Sequence, residues 1–176
     1  TFDTSYTYGI YTLVVVPGTE ETKPWVIDAN KAKYSHDPSV QFTHRMKSGG
    51  AQNYIEVNVP EAGTLLICPR SSNSSATDRT MVVTQNDTEL LNVIVADEQA
   101  VDKVYPAHEV TISNAGVVKI TNPVNALNYY YIEFTSSAGL KYNLDFSQLV
   151  MKNNVVEANG AERLMIYDTT GRLVRV

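Results

Sequence analysis

The chain has 176 residues, 43% of them hydrophobic, which is enough for one domain with a true core and excludes long disorder. A net charge of −5 argues against nucleic acid or an anionic membrane as a partner, and no apolar run is long enough to span a bilayer. Cys68 is the only cysteine, so no intramolecular disulfide can form, and its apolar neighbours indicate a buried thiol.

The dominant hydrophobic period along the chain is two, which predicts short β-strands. Ile55, Val57 and Val59, for example, share one face of a strand whose other face is polar. In chain order, strands are expected over 10–16, 25–30, 54–60, 64–68, 80–85, 90–95, 109–113, 117–121 and 129–135. The segment 97–103 is the one stretch expected to hold a helical turn.

Roughly eight to ten short strands, separated by Gly, Asn and Pro turns, predict an all-β fold. We expect an antiparallel β-sandwich of the jelly-roll type over residues 1–135. The composition shifts after Thr135, so residues 136–176 are expected to form a C-terminal tail. Two apolar runs around Thr170-Gly171 predict a β-hairpin in that tail.

Two cation-bearing motifs occupy the middle of the chain and are followed by a tyrosine-rich strand. They are Phe42-Thr43-His44-Arg45-Met46-Lys47-Ser48-Gly49-Gly50, then Arg70-Ser71-Ser72 running on to Arg79, then Tyr129-Tyr130-Tyr131-Ile132. In this order they resemble the non-catalytic β-sandwich module found beside pectate lyases in secreted Bacteroidetes proteins. That family carries Tyr-Ala or similar where this chain has Cys68-Pro69. The resemblance implies a secreted or cell-surface module, covalently linked to a polysaccharide-degrading enzyme.

The four candidate ligand-binding cations are Arg45, Lys47, Arg70 and Arg79. A pectin-type glycan offers carboxylates, which Arg binds through two parallel hydrogen bonds and Lys meets as a point charge. An architectural role is the alternative, because Arg45 and Lys47 share a strand face and Arg79 follows a Ser-rich loop. These residues would then fix loops through carboxylates such as Asp78 or Glu56.

Tyr129 and Tyr131 are the candidate stacking residues for the apolar faces of sugar rings. Alternation along the strand places Tyr130 on the core face and turns Tyr129 and Tyr131 outward. An outward tyrosine is also an ordinary residue on a half-buried strand face, so a purely structural role stays open. Trp25 is expected in the core.

No catalytic signature is recognisable, so we expect no enzymatic activity. The three histidines are isolated, and there is neither a Gly-x-Ser-x-Gly elbow nor a Gly-rich phosphate loop. A glycosidase needs two carboxylates across a cleft, for which Glu56 and Glu133 are nominal choices. No cofactor is expected; a structural calcium ion held by Asp3, Asp28 or Asp37 stays open.

The C-terminal run 163–176 resembles the sorting domains of the type IX (Por) secretion system of Bacteroidetes. The likeness rests on Tyr167-Asp168, Gly171-Arg172 and Leu173-Val174, while the Pro-Asn-Pro element of that family is absent upstream. The tail is therefore either a truncated sorting domain or a hairpin that completes the sandwich. For the whole chain, the leading hypothesis is non-catalytic binding of a polysaccharide, and the alternative is a structural spacer or adhesion module.

Overall fold

The structure, a computed structural model, describes residues 4–17, 24–34, 37–95, 104–145, 149–152, 155–158, 166–167 and 173–175. These residues form seventeen strands and no helix, which confirms the predicted all-β class. The chain divides into two compact units, Thr1–Phe146 and Ser147–Val176. The described residues contain no helix long and apolar enough to cross a membrane.

The first unit contains thirteen of the described strands. They are β1 (Tyr6–Tyr8), β2 (Tyr11–Val14), β3 (Val26–Tyr34), β4 (Asp37–Lys47), β5 (Tyr54–Val59), β6 (Gly63–Ser71), β7 (Thr80–Gln85), β8 (Thr88–Ile94), β9 (Val104–Tyr105), β10 (His108–Ile112), β11 (Gly116–Thr121), β12 (Leu127–Ser136) and β13 (Lys141–Asp145). The second unit contributes β14 (Leu149–Lys152), β15 (Val155–Ala158), β16 (Ile166–Tyr167) and β17 (Leu173–Arg175).

Two sheets make up the first unit and confirm the predicted β-sandwich. The six-stranded sheet has the order β1-β2-β5-β11-β7-β8, with every neighbouring pair antiparallel. The seven-stranded sheet has the order β10-β6-β12-β4-β3-β9, and β13 also pairs with β12. Its β3–β9 pair is parallel. Strands β4 and β13 pair with the same edge of β12. β4 pairs with its start, at 128–129, and β13 pairs with its later part, at 131–135.

The core lies between these sheets and follows the predicted alternation. On β5, Ile55, Val57 and Val59 are buried, and each such side chain contributes about 1.5–3 kcal/mol relative to exposure. Their counterparts on the seven-stranded sheet include buried residues of β6 and β12, namely Leu65, Ile67, Ile132 and Phe134. Trp25 is buried as predicted, and its indole N–H donates to the carbonyl of Val14 at 3.0 Å.

A tyrosine of the six-stranded sheet reaches between two strands of the other sheet. The hydroxyl of Tyr11 accepts a hydrogen bond from the backbone N–H of Phe134 on β12 at 3.0 Å. The same hydroxyl donates to the carbonyl of Tyr142 on β13 at 2.5 Å. This buried phenol therefore joins β2 to the β12–β13 pair across the sandwich.

The clearest strand predictions are those with strict alternation. The strands expected over 54–60 and 80–85 are confirmed as β5 and β7. Asn86 and Asp87 have φ angles of 50° and 60°, which fits the two-residue hairpin turn between β7 and β8. Strand β4 contains Arg45 and Lys47, which were expected to share a strand face, whereas β1, β9 and β13 of the first unit were not expected. The segment 97–103, expected to hold a helical turn, lies outside the described residues.

The C-terminal residues contain two antiparallel strand pairs, β14 with β15 and β16 with β17. The second pair lies at the predicted hairpin, although its turn, 168–172, is outside the described residues. The first unit runs to Phe146 and includes β13, which lies beyond the predicted boundary at residue 135. The resemblance to a sorting domain stays a prediction.

Gly63→Ala is expected to lower the free energy of unfolding by about 1–3 kcal/mol, measured by urea denaturation. A Cβ at this position would lie 2.3 Å from the carbonyl oxygen of Thr135 and 2.7 Å from the ring of Phe134, so paired backbone would have to move. Gly139→Asn is the control, because a Cβ there meets nothing within 4 Å and Asn tolerates the φ of +82°. Equal losses in the two variants would contradict steric overlap as the cause.

Candidate functional site

The two cation-bearing motifs meet on the outer face of the seven-stranded sheet. The strand register pairs Lys47 of β4 with Asn128 of β12, and Asn128 with Arg70 of β6. Residues directly opposite each other in paired strands point to the same face of the sheet. Lys47, Asn128 and Arg70 therefore form one row across three strands, here named the cross-strand row. Their chain neighbours Met46 and Tyr129 are buried on the other face, in the core.

An open groove of about 420 Å³ adjoins the cross-strand row. This volume lies within the range of roughly 300–1,000 Å³ that is usual for small-molecule sites. The lining residues combine apolar groups with a cation, a hydroxyl and an amide; they are Pro24, Val26, Lys47, Gly49, Ser72, Ala126 and Asn128. This mixture suits a ligand with both polar groups and apolar C–H faces.

Buried polar side chains hold the backbone around the groove in place. The N–H of Ser48 donates to the carbonyl of Leu127 at 3.1 Å, and the N–H of Leu127 donates to the hydroxyl of Ser48 at 3.2 Å. The amide of Asn53 donates to the carbonyl of Ser48 at 2.8 Å, and the amide of Asn122 donates to that of Gly50 at 2.6 Å. These bonds join the first motif to the loop that precedes β12.

Sequence reasoning missed this polar support. Ser48, Asn53 and Asn122 stand in stretches whose composition is typical of solvent-exposed turns, yet all three are buried. The sequence carries no local signal that separates an exposed turn asparagine from a buried one, because the difference arises from long-range packing. Their partners lie up to 79 positions away in the chain.

One carboxylate on β3 binds two of the predicted cations. Arg45 donates to Asp28 twice, from Nε at 2.7 Å and from Nη2 at 3.2 Å, and Lys47 Nζ lies 2.9 Å from the same carboxylate. Partial burial alone would raise the pKa of Asp28, but the bonds from Arg45 and Lys47 outweigh it and hold that pKa below its usual value. The carboxylate partner is thus Asp28, and the expected use of Asp78 or Glu56 by these cations is wrong.

Arg70 approaches the same cluster from β6. Its guanidinium carbon lies 4.9 Å from the ring centroid of Tyr105, a cation–π contact. Burial raises the pKa of the Tyr130 hydroxyl, and hydrogen bonds from Arg70 and Arg45 oppose that rise. The hydroxyl of Tyr130 also donates to Asn30. Arg45 and Arg70 therefore converge on one tyrosine hydroxyl.

Arg79 supports the loops at the groove. Its Nη1 donates to the hydroxyl of Ser72 at 3.3 Å and to the carbonyl of Ala126 at 3.2 Å. Both acceptor residues line the groove. The contacts of Arg79 therefore match the loop-fixing alternative, and its role in ligand contact stays a prediction.

The predicted outward orientation of Tyr129 is wrong. Tyr129 is 0% exposed, and its ring centroid lies 6.3 Å from that of Trp25 in the core. The strand register shifts between Tyr129 and Tyr131, which is the sign of a β-bulge. The extra residue places Tyr130 and Tyr131 together on the outer face. Tyr130 is buried as expected, but it does not share the core face of Ile132.

Tyr131 is half-buried and already stacked. Its ring centroid lies 5.6 Å from that of Phe42 with an interplanar angle of 26°, and its hydroxyl donates to Glu133 at 2.8 Å. It packs against a second hydrophobic cluster on the outer face, formed by Ala32, Phe42, Cys68, Tyr105 and Tyr130. One face of the Tyr131 ring is therefore covered by protein. Cys68 is buried as predicted, and burial raises the pKa of its thiol.

The candidate calcium ligands are engaged elsewhere where they are described. Asp28 binds two cations, and Asp37 accepts hydrogen bonds from the N–H and the hydroxyl of Ser39. Asp3 lies outside the described residues. Over the part of the chain that the structure describes, no three His, Cys, Asp or Glu side chains cluster to hold a metal ion. A structural calcium ion stays a prediction.

Comparison with known proteins yields a distant structural likeness. No protein-family model matches the chain, and no curated protein matches it. A solved structure from work on glycan recognition in the Ruminococcus flavefaciens cellulosome is 18% identical to it, with a TM-score of 0.43. The alignment covers 74% of this chain and 84% of that chain. This likeness is too distant to transfer a site or a ligand.

Tyr129→Phe is expected to raise the free energy of unfolding by about 1 kcal/mol, whereas Tyr130→Phe should lower it by about 1 kcal/mol. The hydroxyl of Tyr129 is buried and has no hydrogen-bond partner among the described residues, while that of Tyr130 donates to Asn30. Urea denaturation of the two matched variants measures both changes. Destabilisation by Tyr129→Phe equal to that of Tyr130→Phe would contradict the assignment.

Asp28→Asn is expected to flatten the loss of stability in acid. The folded-state pKa of Asp28 is depressed, so its ion pairs stabilise the protein above the unfolded-state pKa of about 4. That contribution is lost as the pH falls through the folded-state value. Urea denaturation between pH 5 and pH 2 should therefore show a smaller decline for the variant than for the wild type. Parallel declines would contradict a stabilising role for the ion pairs of Asp28 with Arg45 and Lys47.

Proposed function

We propose that this chain is a non-catalytic carbohydrate-binding module that holds an acidic, pectin-type glycan on the outer face of its seven-stranded sheet. The observation that carries the proposal is an open groove lined by Lys47, whose ammonium shares the carboxylate of Asp28 with Arg45. Lys47 and Arg45 together carry one positive charge more than the carboxylate of Asp28 that both bind, on a chain whose net charge is −5. A uronic-acid polymer supplies the carboxylates that would complete the pairing.

The groove offers suitable contacts for a sugar chain. Lys47 carries three N–H donors, one of which is directed at Asp28, so its ammonium can also serve a ligand carboxylate. Val26 and Pro24 supply apolar surface for the C–H face of a sugar ring. Single exposed ion pairs contribute only about 0–1 kcal/mol. Useful affinity for a polymer therefore depends on several contacts acting together.

The position of the carboxylates supports a non-catalytic role. Glycoside hydrolysis needs two carboxyl groups within about 10 Å across a cleft. The lining residues described for the groove include no Asp or Glu. The nominal pair is also divided, because Glu56 is on β5 of the six-stranded sheet and Glu133 is on β12 of the seven-stranded sheet. On both strands these residues alternate with core residues, so the two carboxylates face away from each other on opposite sides of the sandwich.

The role of such a module is to keep a covalently linked catalytic domain close to its polymer. Binding raises the effective concentration of the enzyme at the surface of the substrate. A secreted or cell-surface location, and a place beside a pectate lyase in a Bacteroidetes protein, belong to this proposal and rest on the motif resemblance.

A structural spacer is the second candidate, and the internal contacts of Arg79 and Tyr131 support it. Arg79 is bonded to two loops, and Tyr131 is stacked on Phe42, so both have structural roles without a ligand. The two candidates differ in one measurable property, which is retention by polysaccharide.

Affinity gel electrophoresis against polygalacturonate, xylan, mannan and a neutral β-glucan tests the proposal. Polygalacturonate should retard the protein, and Lys47→Ala and Arg70→Ala should each weaken binding about fivefold, which corresponds to about 1 kcal/mol. Lys119→Ala is the matched control, because it removes one cation beside Tyr54 on the six-stranded sheet and should leave retardation unchanged. If no polymer retards the folded protein, the spacer role is favoured instead.

A further inference from the structure

The amide of Asn128 is buried beside the groove and is poorly bonded at both ends. The residue is 1% exposed and lines the groove together with Lys47. Its Nδ2 makes a bond of 3.4 Å to the carbonyl of Ser71, which is longer than the usual range of about 2.7–3.2 Å. Its Oδ1 accepts no hydrogen bond from any residue that the structure describes. A buried amide in this condition is unfavourable unless another partner completes its bonding.

A second buried asparagine, Asn122, provides a comparison within the same protein. Its Oδ1 is likewise unpaired among the described residues. Its Nδ2, however, donates to the carbonyl of Gly50 at 2.6 Å and to that of Asn125 at 3.3 Å, so it ties its own loop to the one at Gly50. Asn122 is not among the residues described as lining the groove. Bonding within the protein therefore accounts for Asn122 and leaves Asn128 to be explained.

The side chain of Asn128 is able to turn toward a ligand. The long bond to Ser71 holds Nδ2 weakly, and the χ2 torsion of asparagine has a broad energy profile. A small rotation therefore presents the amide to the groove without breaking a strong contact. The amide then accepts a hydrogen bond through Oδ1 and donates one through Nδ2. A sugar hydroxyl matches it, because a hydroxyl both donates and accepts hydrogen bonds.

We infer that the groove selects an acidic sugar residue that carries both an ionised carboxylate and a free hydroxyl. Lys47, whose side chain is 37% exposed, binds the carboxylate, and Asn128 accepts a hydrogen bond from the hydroxyl. This inference rests on the proposed function and extends it, because it names Asn128 as a specificity-determining residue and states the chemical form of the sugar. A methyl ester would abolish the charge that Lys47 binds, and an acetyl ester would remove the O–H donor for Asn128.

Affinity gels that contain polygalacturonate, its methyl ester or its acetyl ester test the inference. Each ester should weaken binding of the wild type about tenfold. Asn128→Ala should weaken binding to unmodified polygalacturonate about fivefold and should reduce the penalty of acetylation to about twofold or less. This variant should remain sensitive to methyl esterification. Lys47→Ala should show the reverse pattern, and Lys119→Ala should keep both penalties.

Urea denaturation separates a binding role of Asn128 from a structural one, with Asn122→Ala as the matched control. Both substitutions delete the same atoms, but only Asn122→Ala loses the 2.6 Å bond to Gly50. Asn122→Ala should therefore lower the free energy of unfolding more than Asn128→Ala does. Equal losses would show that Asn128 is structural and would overturn the inference. If Asn128→Ala does not fold, Asn128→Leu, which fills the volume, replaces it in both measurements.

The failures of the two proposals can be told apart. If polygalacturonate retards the protein but acetylation weakens binding of Asn128→Ala as much as that of the wild type, the inference is overturned while glycan binding stands. If methyl esterification leaves binding of the wild type unchanged, the inference is overturned in the same way. If polygalacturonate does not retard the folded protein, both proposals fall.

Discussion

The arrangement of the candidate face depends on the β-bulge between Tyr129 and Tyr131 in β12. The bulge turns two successive tyrosines outward, so the outer face gains an aromatic cluster while Tyr129 remains in the core. It also marks the point at which the edge of β12 passes from β4 to β13. The hydroxyl of Tyr130 then lies where Arg45 and Arg70 converge. A regular strand that kept Ile132 and Phe134 in the core would have placed Tyr130 there as well, away from Arg45 and Arg70.

The same irregularity explains which parts of the molecule could be predicted. Strict alternation predicted β5 and β7, because both strands pair with β11 in unbroken register and their residues alternate between the core and the other face of the sheet. Alternation failed at Tyr129 because the extra residue of a bulge moves the residues that precede it to the opposite face of the sheet. The hydrophobic pattern of the sequence gives no sign of that extra residue. The row of Lys47, Asn128 and Arg70 was also beyond prediction from spacing. It depends on sheet register between residues far apart in the chain.

Asp28 reconciles the two roles considered for the cations. Its carboxylate orders Arg45 and Lys47, as an architectural residue would. Ordered side chains lose less conformational entropy when a ligand binds, so the same ion pairs would favour the proposed glycan binding. The sequence analysis named Asp78 and Glu56 instead, and Asp28 becomes a neighbour of Arg45 only when β3 pairs with β4. A structural contact and a binding role are therefore compatible at this site.

The bonds of the Tyr11 hydroxyl have a mechanical consequence. Tension passed from the second unit enters the sandwich through β13, the last strand of the first unit. That strand is held to β12 along one edge and, through the carbonyl of Tyr142, to a side chain of the opposite sheet. Pulling β13 away must break the edge bonds and also withdraw a buried phenol from its acceptor. Force applied at this end of the first unit would thus be resisted at β13, the strand that bears the load first.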